Sequence, residues 1–292
     1  MHFIENNLWH TQCPACGSQS IKEVGKQALN SHELYSNFPI VQLQRPEIWV
    51  CLGCKSKFKQ NSVKEADSVL LYSEGNAVSR WSSDERFGKT FFNRKSRVFR
   101  KKLVDILLKS QAVLDIGCND GLFLDDAKNF CLKTSGVEYS HEARTLCSAK
   151  GHQVFKSLDE VDSRFDLITA FDLVEHLYNI TEFFVKCKEL LAPGGRIVIL
   201  TGNPECIMAR AARQDWWYAS FPEHLIFPSL LYFSMIEGLR LEGYYGVRHA
   251  RQGFKLPISL ARALVTGCCK WKFNGLSGLW PDHYVIVLSL VA

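Results

Sequence analysis

From Gln111 onward the chain alternates short apolar runs with stretches whose apolar residues recur at helical spacing, the pattern of a parallel sheet covered on both faces. The runs AVLDI from Ala112, SGVEYS from Ser135, HQVFK from His152, FDLITAF from Phe165 and RIVIL from Arg196 read as five successive strands. Between them, Leu122 to Cys131 and His141 to Lys150 read as helices. A further helix is predicted from Asn179 to Leu191, where Ile180, Phe183, Phe184, Cys187, Leu190 and Leu191 share one face before Ala-Pro-Gly-Gly stops it. The late stretch DHYVIVLSLVA reads as a final antiparallel strand. Ahead of the sheet, Arg80 to Ser110 carries Phe92, Val98, Phe99, Leu103, Ile106 and Leu107 at roughly helical spacing among Arg and Lys, an amphipathic helical segment whose positive face is more often solvated than a binding surface. The predicted architecture is α/β and doubly wound, and ligands of such sheets lie beyond the carboxyl ends of the strands, at the switch point beside the first strand.

Composition narrows the partners. The 292 residues are 47% hydrophobic, enough for a real core, and 35 basic against 30 acidic residues leave a formal charge of only +5, too balanced to demand a nucleic acid or a membrane surface. The N-terminal MHFIENNLWHTQCPACG has no basic stretch followed by an apolar one, so no secretory signal is visible. The late apolar run from Tyr284 is about half what a spanning helix needs. A soluble, cytoplasmic protein is the expectation.

Eleven cysteines are distributed unevenly. Cys13 and Cys16, then Cys51 and Cys54, form two Cys-x-x-Cys pairs, a spacing that places four thiolates around a Zn²⁺ ion, with the turn after each pair turning backbone amides toward the sulfurs. The 34 residues between the pairs exceed ordinary ribbon spacing and must carry strands or a loop of their own. Cys118, Cys131, Cys147, Cys187, Cys206, Cys268 and Cys269 lack such spacing and read as small core hydrophobes or surface thiols.

The turn after the first strand, IGCNDG, gives the backbone two glycines, Gly117 and Gly121, with which to bend and admit a ligand against the main chain at a helix N-terminus. Asn119 stands where a dinucleotide fingerprint wants its second glycine, which disfavours a pyrophosphate. Glu138 ends the second strand, 23 residues after Asp115, where an acid can accept hydrogen bonds from two ribose hydroxyls. The plain alternative is an ordinary strand-to-helix turn and a solvated strand end.

At these residues the sequence resembles the class I S-adenosylmethionine-dependent methyltransferases. VLDIGCNDG looks like their first motif, VEYS like the second-strand acid, FDLITAFDLVEHL like the fourth-strand motif with its Glu-His, and LLAPGGRIVIL like the helix and strand that follow. The resemblance covers Lys102 to about Val247. It implies a seven-stranded Rossmann-like sheet. It also implies that Asp115, Gly117, Asn119 and Gly121 surround the methionine part of the cofactor, Glu138 holds the ribose, Lys156, Ser157 and Leu158 flank the adenine, and Asp172 lies beside the sulfonium. The Ile-Gly-x-Asn-Asp-Gly form, behind an N-terminal four-cysteine module, is similar to the zinc-containing sugar C-methyltransferases that act on nucleotide-linked deoxy-keto-sugars. Their Tyr-x-Glu-His tetrad corresponds here to FPEHLIFPS, with Glu223 and His224 matching and Phe221 in place of tyrosine. That family carries a further C-terminal domain for which this sequence has no room.

Methyl transfer requires alignment of an acceptor and removal of its proton, and histidine is the side chain suited to that near neutral pH. His224, with Glu223 beside it, is preferred on placement; His176 in LVEHLYN is the other candidate, with a packing or capping role as its alternative. Trp216, Trp217 and Tyr218 could stack on sugar or base rings, and at least one of the three should face a cleft or a partner. The organisation expected is a zinc-binding module (1-75), a helical linker (76-110) and a methyltransferase domain (111-292). The reading is methyl transfer to a small polar acceptor, a sugar or a nucleotide-linked or polysaccharide sugar. The alternatives are an RNA methyltransferase whose zinc ribbon grips RNA, helped by basic residues from Arg86 to Lys102, and a non-catalytic zinc-ribbon scaffold. The cysteine module is not notably basic, which weighs against RNA.

Overall fold

A computed structural model describes residues 6–27, 46–66, 68, 97–221, 223–247 and 281–291. Its centre is a seven-stranded sheet. The strands are β6 (Ala112–Ile116), β7 (Lys133–Val137), β8 (Gln153–Phe155), β9 (Phe165–Phe171), β10 (Leu191–Gly202), β12 (Leu239–Val247) and β13 (His283–Leu290). Their spatial order is β12-β13-β10-β9-β6-β7-β8. β13 runs antiparallel to both β10 and β12, and the β6 to β10 pairs are parallel. The order reverses between β6 and β9, so the switch point lies at the end of β6, as its sequence implies.

Strand pleating sorts the core into two layers. Leu114, Ile116, Ile168, Ala170, Ile197, Ile199, Ile286 and Leu288 face one way, against Phe183 and Phe184 of α4 (Ile180–Leu190) and Phe233 of α6 (Leu230–Met235). Val113, Leu167, Val198, Leu200, Val285 and Val287 face the other way. There they meet Phe99, Leu103 and Leu107 of α1 (Arg97–Leu107), Phe123, Leu124 and Ala127 of α2 (Leu122–Ala127), and Cys147 of α3 (His141–Ala149). In chain order between α4 and α6, α5 spans Ile207–Ala212. Covered on both sides, these strands have no polar face to alternate with, which is why they read as continuous apolar runs.

The cysteine region forms a second sheet. β2 (Ile21–Lys26), β3 (Glu47–Cys51) and β4 (Lys57–Gln60) are antiparallel neighbours, and a short strand from far along the chain, β11 (Ile226–Phe227), completes the order β11-β4-β3-β2. β1 (Asn6–Leu8) pairs with β5 (Ser62–Val63). Cys13, Ala15, Cys51, Cys54 and Phe58 belong to the same buried cluster as the first face of the large sheet, and Thr181 Oγ1 of α4 donates to the Ala15 carbonyl at 3.3 Å.

Several boundaries differ from the sequence reading. The helix expected through Cys131 stops at Ala127, where the Asn129 side-chain Nδ2 donates back to the Asp125 and Asp126 carbonyls and offers the backbone an alternative to another turn. The second strand stops at Val137, where Glu138 is drawn into side-chain contacts with the next turns. The third is confined to Gln153–Phe155. The fifth begins at Leu191: Ala-Pro-Gly-Gly lies inside β10 as an irregularity between the Leu191–Phe165 and Arg196–Leu167 pairs, with Gly194 at φ +76° supplying the bend. Of the amphipathic segment, the part from Arg97 is helical and buries Phe99, Leu103 and Leu107. Phe91 to Ser96, the basic residues from Arg86 to Lys95, the residues 28–45 between the cysteine pairs, and Cys268 and Cys269 lie outside the described residues. Cys118, Cys147, Cys187 and Cys206 are buried, and Cys131 is half-buried.

Gly121 gives the fold a sharp test. Its φ is +81° and a Cβ there would stand 2.6 Å from Cys147 Sγ, whereas Gly151, at φ +88°, has open space around it. Gly121→Ala should therefore cost about 1–3 kcal/mol more than Gly151→Ala in chemical denaturation, the backbone strain being shared and the overpacking not.

Candidate active site

The ends of four parallel strands converge on one edge of the sheet. After β6, the Gly117 and Cys118 amides both donate to the Val137 carbonyl, at 2.8 and 3.2 Å. Gly117, Asn119 and Gly121 all take positive φ, at 76°, 50° and 81°. The two glycines have different surroundings. Gly117 is exposed, and a Cβ on it would press on Leu173 at 3.2 Å. Gly121 is buried under Cys147 and His152, so its missing side chain makes room for helix packing. Asp115 is buried in the strand and accepts from Thr169 Oγ1 of β9 at 2.6 Å.

Glu138 ties the second strand end to the first turn: Oε2 accepts from the Asn119 amide at 3.0 Å and Oε1 from the Ser140 amide at 2.8 Å. Each oxygen keeps a further lone pair with which to accept a hydroxyl. The Glu138 amide bonds to the Phe155 carbonyl at 3.0 Å, which sets Lys156, Ser157 and Leu158 next in line. Lys156 is exposed with its amide on Glu160, Ser157 precedes the one-turn helix Leu158–Glu160, and Leu158 packs against the first core layer. Asp172 follows β9 at φ 51°, its amide on the Leu200 carbonyl at 2.8 Å and its Oδ1 3.8 Å from His283 Nε2.

Beside this edge lies a cluster that the sequence does not announce. Glu175, in the turn Val174–His176, is fully buried. Its Oε1 accepts from the Tyr218 hydroxyl, its Oε2 from Thr201 Oγ1 at 2.8 Å, and its carbonyl from the Leu225 amide at 2.7 Å. Burial holds the Glu175 carboxyl above the usual carboxylate range, and burial together with the adjacent Glu175 holds Tyr218 far above the ordinary phenol value, so the tyrosine keeps its proton and donates. Gly202 makes this possible, because a Cβ there would stand inside the Tyr218 ring.

The two candidate histidines are neighbours. Their rings meet edge to face with centroids 4.7 Å apart. His176 Nδ1 lies 3.0 Å from the Glu223 carbonyl and His224 Nδ1 lies 2.7 Å from the Tyr218 carbonyl. A carbonyl can only accept, so each Nδ1 carries a proton. His224 is buried, and burial, with the charges of His176 and Lys59 adding to it, holds its pKa well below the ordinary value. It is therefore a neutral imidazole at neutral pH. Of the three aromatics, Trp216 and Tyr218 are buried and Trp217 is half-buried against His283 and Phe221.

The four paired cysteines come together, all buried except the half-buried Cys16. Cys13 and Cys54 sulfurs are 3.7 Å apart and those of Cys16 and Cys51 are 3.6 Å apart, while a tetrahedron with Zn–S near 2.3 Å has S–S edges of about 3.8 Å. The Cys54 amide faces Cys51 Sγ at 3.4 Å. The Cys13 thiol beside it lowers the Cys54 thiol, the direction that favours the thiolate form a metal needs. The donor set fits a structural Zn²⁺.

Sequence reasoning missed Glu175 as a hub, Tyr218 as its donor, and Lys59. Lys59 is 1% exposed on β4, its Nζ donating to the Phe221 carbonyl at 2.5 Å. In a strand reading KFKQ nothing marks Lys59 as buried.

Residues 90–234 match the family described as Methyltransferase domain. The ubiquinone biosynthesis O-methyltransferase of Bradyrhizobium sp. (strain ORS 278) is 32% identical over 105 residues, covering 33% of this chain and 42% of that protein. The chain thus spans less than half the length of this curated relative. Among solved structures, a SAM-dependent methyltransferase from Archaeoglobus fulgidus aligns over 70% of this chain and 96% of its own, at 20% identity and a TM-score of 0.47. SAM-bound CalS10, an amino pentose methyltransferase from Micromonospora echinaspora involved in calicheamicin biosynthesis, aligns over 34% and 48%, at 21% identity and a TM-score of 0.31.

The buried hub yields a stability test. Tyr218→Phe removes one hydroxyl and leaves Glu175 with one fewer donor in a site closed to water, so denaturant unfolding should show a loss of about 1–3 kcal/mol.

Proposed function

We propose that the chain carries an S-adenosylmethionine-dependent methyltransferase domain and moves a methyl group to a small polar acceptor, a free or nucleotide-linked sugar or a polysaccharide sugar, with His224 as the base. The bound cofactor supplies an electrophilic methyl group on its sulfonium. Asp115, Gly117, Asn119 and Gly121 are the residues that would hold its methionine part, Glu138 its ribose, Lys156, Ser157 and Leu158 its adenine, with Asp172 beside the sulfonium. The bare, exposed backbone at Gly117 and the spare lone pairs of Glu138 suit those roles.

The observation that carries this reading is a line of contacts from the strand ends to the base. Asp172 approaches His283 at 3.8 Å, the His283 and Tyr218 rings are 4.9 Å apart, and those of Tyr218 and His224 are 4.2 Å apart. His224 stands at the far end with Nδ1 fixed on the Tyr218 carbonyl, so Nε2 is the atom that takes the acceptor's proton. Its depressed pKa keeps it unprotonated through the neutral range. His176, whose Nδ1 holds the Glu223 carbonyl, orients the segment that bears the base. One Zn²⁺ in the four-cysteine cluster completes the proposal, as a structural ion. Small acceptors are favoured over RNA because Lys59 of the cysteine module is buried and Lys57 is half-buried with its Nζ donating to the Ala209 carbonyl, which leaves fewer charges on the module's surface to meet phosphates.

The test has two stages. The wild-type protein should bind S-adenosylhomocysteine in isothermal titration, and Glu138→Ala should lose roughly 1–3 kcal/mol of that affinity. With label from methyl-tritiated cofactor followed into sugar and nucleotide-sugar acceptors, His224→Ala should bind the cofactor product normally while transferring about 10²- to 10⁴-fold more slowly. Absence of cofactor-product binding by the wild-type protein would end the proposal, and full turnover by His224→Ala would end the assignment of the base.

A further inference from the structure

The segment that bears Glu223 and His224 is held by the cysteine module at both ends. On one side Ile226 pairs with Phe58 and Phe227 with Lys57, and just before them the Lys59 amide donates to the Leu225 carbonyl at 2.8 Å. On the other side the Lys59 ammonium reaches the Phe221 carbonyl, the same oxygen to which the His224 amide bonds at 3.1 Å. One residue of β4 thus grips Leu225 with its main chain and Phe221 with its side chain, and His224 lies between the two grips. Beyond them, Ser229 adds two more ties, its amide on Ser56 Oγ at 3.1 Å and its hydroxyl on the Cys54 carbonyl.

A lysine is a costly choice for a site that is 1% exposed. Methionine would fill the same space without desolvating a charge. What methionine lacks is a donor for the Phe221 carbonyl and a positive charge beside the imidazole. We propose that Lys59 is a positioning residue for His224, and that the cysteine module, by supplying it, builds part of the active site. The inference rests on the reading of His224 as the base. The groups facing His224 are Glu175 and His176 from the turn after β9, Tyr218, His283 of β13, Lys59 of β4, and Glu223 beside it in sequence. Burial is the first cause of the lysine's lowered pKa, with Glu223 opposing it. On the histidine, Lys59 acts in the same sense as burial, His176 and His283.

The test uses the full chain labelled with ¹⁵N-histidine and saturated with S-adenosylhomocysteine, comparing the wild-type protein with Lys59→Met and Lys59→Gln. In Lys59→Met the His224 resonances should titrate at higher pH than in the wild type, and the Nδ1–H signal held by the Tyr218 carbonyl should weaken. Lys59→Gln keeps a donor for Phe221 without the charge, so it should retain that signal while its titration still moves upward. Cofactor-product affinity should be unchanged in both. Wild-type His224 titration in folded variants would overturn the proposal. Failure of both variants to fold would overturn it equally, by showing that Lys59 holds up the module and nothing more specific. Normal turnover by His224→Ala would instead remove His224 from the chemistry, while the coupling between Lys59 and His224, read by resonance, would stand.

Discussion

The pairing of β11 with β4 is the constraint on which the rest of the site depends. Two residues of strand, Ile226 and Phe227, are too few to hold a register by themselves, and on one edge they have only β4 as a hydrogen-bonded neighbour. Ser229 then fastens the chain to the loop that carries Cys54. Whatever fixes the four cysteines therefore fixes the path of residues 223 to 229. In a small sheet with little core of its own, the proposed structural metal would supply folding free energy that packing cannot.

The second constraint is the buried carboxyl of Glu175. A carboxyl closed to water is tolerated only when its oxygens are occupied, and Tyr218 and Thr201 occupy them. The same residue receives the Leu225 amide on its main chain. The module grips the segment that bears His224 from one side and the turn after β9 grips it from the other. His224 is thus held by two independent parts of the fold, as the proposed base would have to be for the narrow tolerance of proton transfer.

Much of this was legible in the sequence, for physical reasons that differ by element. β6, β9 and β13 are covered on both faces and announce themselves as apolar runs, and α4 shows its buried Ile180, Phe183, Phe184 and Cys187 at helical spacing. The convergence of the four cysteines was legible because coordination of a metal would demand their fixed spacing. β10 was only half legible, since Ala-Pro-Gly-Gly signals a stop and the structure uses it as a bulge within the strand. β4 was not legible at all. Its Lys57, Phe58, Lys59 and Gln60 look like a solvated edge, and the burial of the last three depends on a strand arriving from more than 160 residues away. Glu175 was hidden for the same reason: Glu-His after a fourth strand names two polar residues, and only tertiary contact with Tyr218 and Thr201 turns one into a hub and sets the other against His224.

Amide hydrogen exchange on the wild-type protein, with its metal and after chelation, tests most directly whether the cysteine cluster and the catalytic segment are one unit. Removing the metal should expose the amides of residues 51–60 and, together with them, those of residues 225–229, while Ala112–Ile116 and residues 197–201 in the large sheet stay protected. Continued protection of residues 225–229 while residues 51–60 exchange freely would contradict the account, because the catalytic segment would then owe its position to the large sheet alone.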